Sequence, residues 1–192
     1  MISLSLYSSS NSVSVSVHCN KEKIKFLKKK VDNHDKSNTL ILLLKEIFME
    51  IKPSSINKIF FSRGPGSFTS LRSLIAIAQG IRIFSQAKIY TVTMFEIFLI
   101  QLIKHQTSFL FIYQDGRSDF YFQFFELLKN TTEKSSKIQS GSITDIKKKI
   151  SFFQKSRDNN KLFIASEKKY EFFSDIDYSG FFCVSLNAKK VF

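Results

Sequence analysis

Few residues in this chain have the types and spacing that chemistry requires. Its three histidines, His18, His34 and His105, stand apart, and none has another at the i, i+4 spacing that lets two imidazoles share a metal. Cys19 and Cys183 are distant and form no Cys-x-x-Cys, so neither a disulfide framework nor a zinc site can be read from them. No Gly-x-Ser-x-Gly elbow offers a nucleophile. One segment remains, Arg63-Gly-Pro-Gly-Ser-Phe-Thr69, with Leu71 and Arg72 behind it. Gly64 and Gly66 permit positive φ and close backbone approach, and Pro65 fixes its own φ. Ser67 or Thr69 can cap a following helix. Such a turn exposes N–H groups suited to an anion, yet it serves equally well as a plain strand-to-helix connector. It matches neither a P-loop nor a dinucleotide fingerprint.

The elements around it follow from hydrophobic period. Ile2, Leu4 and Leu6 alternate with serine and tyrosine, and Val13, Val15 and Val17 alternate with serine. Across the turn Ser8–Asn11 this predicts a β-hairpin with one apolar face, followed by a basic strand over Lys23–Leu27. Leu40, Leu43, Leu44, Ile47, Phe48 and Ile51 fall at helical spacing, and Pro53 stops that helix. Lys58–Phe61 reads as a buried strand running into the glycine turn, and Leu71, Leu74, Ile75, Ala78 and Ile81 read as the helix leaving it. Ile89–Val92 is a further strand. Thr93-Met-Phe-Glu96 is a capping box that opens a helix reaching about Lys104. Strands at Phe109–Tyr113 and Asp119–Phe125 flank the turn Gln114–Ser118. Lys129–Lys149 is polar, part loop and part helix, and short strands follow at Leu162–Ala165 and Phe181–Ser185. The predicted order, βββαβαβα and then ββ with mixed elements, gives two α/β lobes divided near residue 106, with no short-period repeat.

Composition limits the function classes. Of 192 residues, 43% are hydrophobic and 23% charged, which excludes wholesale disorder. The longest uncharged apolar stretches, such as Leu40–Leu44 and Ile97–Ile100, fall far short of the roughly 20 residues that span a bilayer. The N-terminus lacks a basic block followed by an apolar one, so the expected compartment is cytoplasmic. Net charge is +13, from 29 Lys+Arg against 16 Asp+Glu. Only five of the cations are Arg, the side chain suited to bidentate phosphate contacts, and the chain carries 22 Phe and no Trp. Lys, Phe, Ile and Asn share AT-rich codons, so drift in base composition accounts for this balance better than a dedicated nucleic-acid surface. Weak, salt-sensitive contact with RNA stays compatible with it.

The segment Phe61–Arg72, followed by Ala76-Ile-Ala-Gln-Gly80, resembles the signature of the TsaB (YeaZ) family of bacterial tRNA threonylcarbamoyladenosine biosynthesis proteins. Other pieces agree in order: the opening hairpin, His34 before the first helix, Thr91-Val-Thr-Met-Phe-Glu96 and Asp115-Gly-Arg-Ser-Asp-Phe-Tyr121. The likeness runs through residues 1–126 and then fades. It implies an actin-like ATPase (ASKHA) fold of two lobes, 1–106 and a shortened 107–192, each with a mixed sheet flanked by helices. It also implies a non-catalytic partner of TsaD in forming N6-threonylcarbamoyladenosine at position 37 of tRNAs that read codons starting with A. ATP and metal then belong to TsaD; TsaE joins the complex, TsaC supplies the activated group, and tRNA is met indirectly. A homodimer in the absence of TsaD is compatible with the resemblance, and the sequence does not decide it.

The actin-like fold places an Asp at the end of its first strand to hold magnesium, and the aligned residue here is Tyr7. A neutral phenol is a poor magnesium ligand, which argues against independent ATP hydrolysis. Ser70 and Leu74 stand where the family usually has glycine. A basic tRNA-binding accessory protein and an active actin-like ATPase or peptidase are the alternatives. In the family, helices of the first lobe pack on TsaD. Here Leu40–Ile51 and Leu71–Phe84 carry wider apolar arcs than one sheet requires, so Leu43, Leu44, Ile47, Leu74 and Ile77 are the expected interface. His34 reads as a helix-leading surface residue, Lys147–Lys149 as a solvated face, and the aromatics of 120–125 as two faces of a buried strand.

Overall fold

The computed structural model describes residues 1–9, 12–20, 22–31, 35–102, 108–114, 120–128, 131–155, 161–176 and 178–184. The chain forms two compact units, 1–97 and 98–185.

The first unit is built on β1 (Ile2–Ser8), β2 (Ser12–Cys19), β3 (Glu22–Lys30), β4 (Ile56–Ser62) and β5 (Lys88–Val92), in the order β3-β2-β1-β4-β5. The first three strands are antiparallel neighbours, while β1, β4 and β5 run parallel. Helices α1 (Lys36–Phe48) and α2 (Phe68–Ser85) make those crossovers. Leu4, Leu6, Val13, Val15, Val17, Ile59 and Phe61 share the face that the helices cover. Leu40, Leu43, Leu44 and Ile47 of α1 and Leu74, Ala78 and Ile81 of α2 complete that core. Each set falls at i, i+3/i+4, i+7, so one stripe per helix is buried. The opposite face of the hairpin is buried too, although it is polar: Ser3, Ser5, Ser14 and Ser16 are each at most 1% exposed.

The second unit repeats the plan. Here β6 (Ser108–Gln114), β7 (Phe120–Leu128), β8 (Thr131–Ser135), β9 (Gln139–Gly141), β10 (Leu162–Ser166) and β11 (Gly180–Cys183) form a sheet ordered β11-β10-β6-β7-β8, with β9 also on β7. Read from β8, this is again third, second, first and then two parallel strands, with α4 (Ile143–Lys155) crossing over to β10. Two mixed sheets of this kind with flanking helices make the actin-like ATPase fold that the resemblance implied. Both faces of the second sheet are aromatic. Phe120 and Phe122 pack with Leu110, Ile112, Ile146, Ile150 and Phe173, while Phe111 lies 4.7 Å from Phe125 and 5.5 Å from Phe98, centroid to centroid. The aromatics of β7 are therefore the buried strand expected of them.

Three expectations change. The polar stretch 129–149 holds two strands, β8 and β9, as well as α4. Edge strands bonded along one side need no apolar alternation, so nothing in their pattern announced them. Strand β3 is longer than Lys23–Leu27, and its lysines suit an edge. Division of the compact units falls inside α3 (Met94–Leu102), earlier than residue 106.

Candidate partner surface and signature turn

The glycine turn joins β4 to α2 and is held by the chain itself. The Arg63 N–H donates to the Val92 carbonyl (2.8 Å), and the Gly64 carbonyl accepts from the Met94 N–H (2.8 Å). The Gly64 N–H donates to Ser62 Oγ at 3.3 Å. This ties the β4–α2 connection to the β5–α3 connection beside it. Gly64 has φ +102°, and a Cβ there would lie 3.3 Å from Leu71 Cδ1. Gly66 has neither demand: its φ is ordinary and a Cβ would meet nothing within 4 Å. Ser67 is the cap of α2, its hydroxyl accepting from the Ser70 N–H at 3.5 Å, so Thr69 is not the capping residue. Pro65 follows a cis bond and is half-buried, as is Leu71. Arg63, Thr69 and Arg72 are exposed, and the Arg72 guanidinium sits 5.4 Å over the ring of Phe68, itself 67% exposed.

The five expected interface residues separate. Leu43, Ile47 and Leu74 are 8%, 0% and 0% exposed and lie in the core of the first unit. That corrects their assignment. The wide apolar arcs are real, but their centres face the sheet and only their flanks reach solvent. Ile75, part of the apolar spacing that marks α2 in the sequence, is 48% exposed. Leu44, at 5%, belongs to the same core and reaches only the floor of a groove between α1 and α2, while Ile77 is half-buried in the lining of that groove. Its other lining residues are Ile41, Lys45, Phe48, Pro53, Gly80, Ile81 and Phe84, around about 330 Å³. Of this lining Ile41 and Phe84 are 43% and 75% exposed. A run of this size with a single charged side chain in its lining is unusual on a solvated helix pair.

A profile of the family described as TsaD, tRNA N6-adenosine threonylcarbamoyltransferase, matches residues 31–187. The chain belongs to the TsaD family. Among solved structures, YeaZ from Pseudomonas aeruginosa superposes with a TM-score of 0.71 at 16% identity, covering 100% of this chain and 89% of that one. An uncharacterised protein with similarity to peptidase YeaZ, from Pseudomonas aeruginosa, gives 0.65 at 16% identity, covering 99% and 88%. No curated protein sequence matches the chain.

Members of the TsaD family with the actin-like fold raise the question of a bound nucleotide and its magnesium. The end of β1 does not fit one. Tyr7, where a carboxylate would hold the ion, is 1% exposed. The adjoining turn is closed by its own serines: Ser9 Oγ lies 2.9 Å from Ser12 Oγ and accepts from the Ser12 N–H at 3.1 Å. Among the described residues no group of three His, Cys, Asp or Glu could hold a metal, and no helix is long and apolar enough to cross a membrane. His18 is buried on β2, and its pKa is lowered by burial and by the neighbouring Lys23 charge. His34 and the turn segment 115–119 lie outside the described residues. Lys148 and Lys149 are exposed on α4, as expected of a solvated face, and Lys147 is half-buried.

Proposed function

We propose that this chain is a TsaB-type scaffold, which docks on TsaD through the α1–α2 groove and supports threonylcarbamoyl transfer to adenosine 37 of tRNAs reading codons that begin with A. It works in the cytoplasm with TsaE in the complex and TsaC supplying the activated group. Nucleotide and metal sit in TsaD, and tRNA is reached through it. Membership of the TsaD family and the unfit β1 terminus support a partner role over catalysis. The groove carries the reading, because an apolar cleft between two helices of the first lobe is the shape that a pair of helices from a related lobe fills. A second copy of the chain presents the same surface, so self-association and TsaD binding compete.

Capture by the TsaD of the same cell tests this. Ile41→Asp and Phe84→Asp place a charge on exposed groove walls and leave the core untouched. Each is expected to weaken capture by about 30-fold or more, as at a central interface position, while unfolding stays cooperative. Leu43→Asp is expected instead to unfold the first lobe. Normal TsaD capture by both wall variants sinks the proposal.

A further inference from the structure

We propose that the β4–β5 margin of the first sheet is a binding site for an unpaired base of single-stranded RNA. Strand register builds it. On the sheet face opposite the helices, one row runs Lys23–His18–Ser3–Lys58–Lys88 and the next runs Phe26–Ser16–Ser5–Phe60–Tyr90. The middle of both rows is buried, but the β5 end is open: Lys88 is exposed and Tyr90 is 39% exposed. Phe60 and Tyr90 stack with centroids 5.2 Å apart and planes only 19° from parallel. The Lys58 ammonium lies 5.6 Å from the Tyr90 centroid. Neither β4 nor β5 contains a carboxylate.

Stacked, nearly parallel rings one row from two cations offer what a base and its phosphate need: the outer ring of the stack to extend and charges for the backbone. An acidic protein would use the lysines and leave the stacked pair without a role. Of the other cation–ring pairs among the described residues, Lys168 over Tyr170 belongs to the second core, where burial pushes the Tyr170 phenol up to about 12, and Arg72 over Phe68 has no second ring stacked on it there. Phe60 and Tyr90 stand thirty positions apart in sequence, in two separate runs that read as strands, so only the β4–β5 register brings them together.

Fluorescence anisotropy with a labelled single-stranded RNA dodecamer, over a salt series, tests the site on the full chain. Tyr90→Ala is expected to weaken binding about tenfold, the cost of one lost base stack. The pair Lys58→Gln, Lys88→Gln is expected to lower the salt slope by about 1 to 2. The control pair Lys148→Gln, Lys155→Gln on α4 removes the same charge elsewhere and is expected to change the slope less. TsaD capture by Tyr90→Ala is expected to be normal, which separates this site from the groove. Unchanged affinity in Tyr90→Ala overturns the proposal. So do equal losses in the two lysine pairs, equal affinity for a blunt RNA duplex, or competition by polyglutamate as strong as by unlabelled RNA.

Discussion

Gly64 and Gly66 are the same residue two positions apart in one turn, and the structure asks different things of them. Gly64 holds φ +102° with Leu71 Cδ1 where a Cβ would press, whereas Gly66 has an ordinary φ and open space. Gly64→Ala is expected to cost about 1–3 kcal/mol in urea denaturation, and Gly66→Ala to stay within about 0.5 kcal/mol. Equal costs would refute the distinction. The sequence offered both glycines as candidates for positive φ, and spacing alone could not choose between them. Burial at single positions was similarly half legible. Period marked which helices carry apolar arcs, but the arc around α1 is so wide that Leu43, at 8% exposure, and Leu42, at 54%, look alike in sequence. Ser5 shows the reverse problem. Alternation puts it on the polar face, yet it is fully buried and its hydroxyl has no hydrogen-bond partner among the described residues. Removing an unsatisfied buried hydroxyl relieves a desolvation cost, so Ser5→Ala is expected to be neutral or to stabilise by about 1 kcal/mol in the same assay. A loss above about 1 kcal/mol would show that the hydroxyl is engaged after all.

Among the elements, helix starts were the most legible because their chemistry is local. The Thr93–Glu96 box forms as its spacing predicts: the Thr93 N–H donates to Glu96 Oε2, and the Glu96 N–H donates to Thr93 Oγ1 at 3.1 Å. A reciprocal pair of the same design opens α4, where Asp145 Oδ2 accepts from the Ser142 N–H at 2.9 Å and the Asp145 N–H donates to Ser142 Oγ at 3.3 Å. That second box lay inside a lysine-rich stretch and went unread. Thr93→Ala and Ser142→Ala are each expected to lower stability by about 1 kcal/mol, read as a shifted denaturation midpoint with an unchanged slope. Strands gave the opposite lesson. The serine–valine hairpin declared itself by period, while β8 and β9 depend on what β7 offers them and carry no signal of their own. The groove is of the same kind. Each wall belongs to a helix that sequence finds, but the cleft exists only because the two helices lie side by side.

For the whole molecule, the two-lobed fold was readable because a resemblance supplied what periodicity could not: that the strands gather into two mixed sheets flanked by helices. Charge was the most conspicuous global number and the least informative, since +13 spread over the chain names no site until the strand register gathers a few lysines beside rings. One ionisable group inside the first lobe does bear on stability. His18 has its pKa lowered from the ordinary 6.5, first by burial and then by Lys23. The unfolded chain therefore binds a proton that the folded one resists, so stability rises with pH across this window and falls as pH drops below about 6.5. Thermal midpoints are expected to decline between about pH 7 and pH 5, and less steeply in His18→Gln. Parallel slopes in the two proteins would move the effect elsewhere.

The repeated strand order also sets how the chain must find its fold. Ile2 pairs with Ile56 across the first sheet and Ser108 with Leu162 across the second, a separation of 54 residues in both cases. Closing a loop costs entropy that depends on its length, so the two lobes face the same toll before their parallel strands can meet. The hairpins β1–β2 and β6–β7 close over short turns and can form first, each offering a template edge on which the distant strand lands. Substitutions in those hairpins, such as Val15→Ala or Ile112→Val, are expected to slow refolding in stopped-flow traces. Ile59→Val in β4 is expected mainly to speed unfolding. On this account neither half of the chain has a head start, and the order in which they fold is left to how well each core packs.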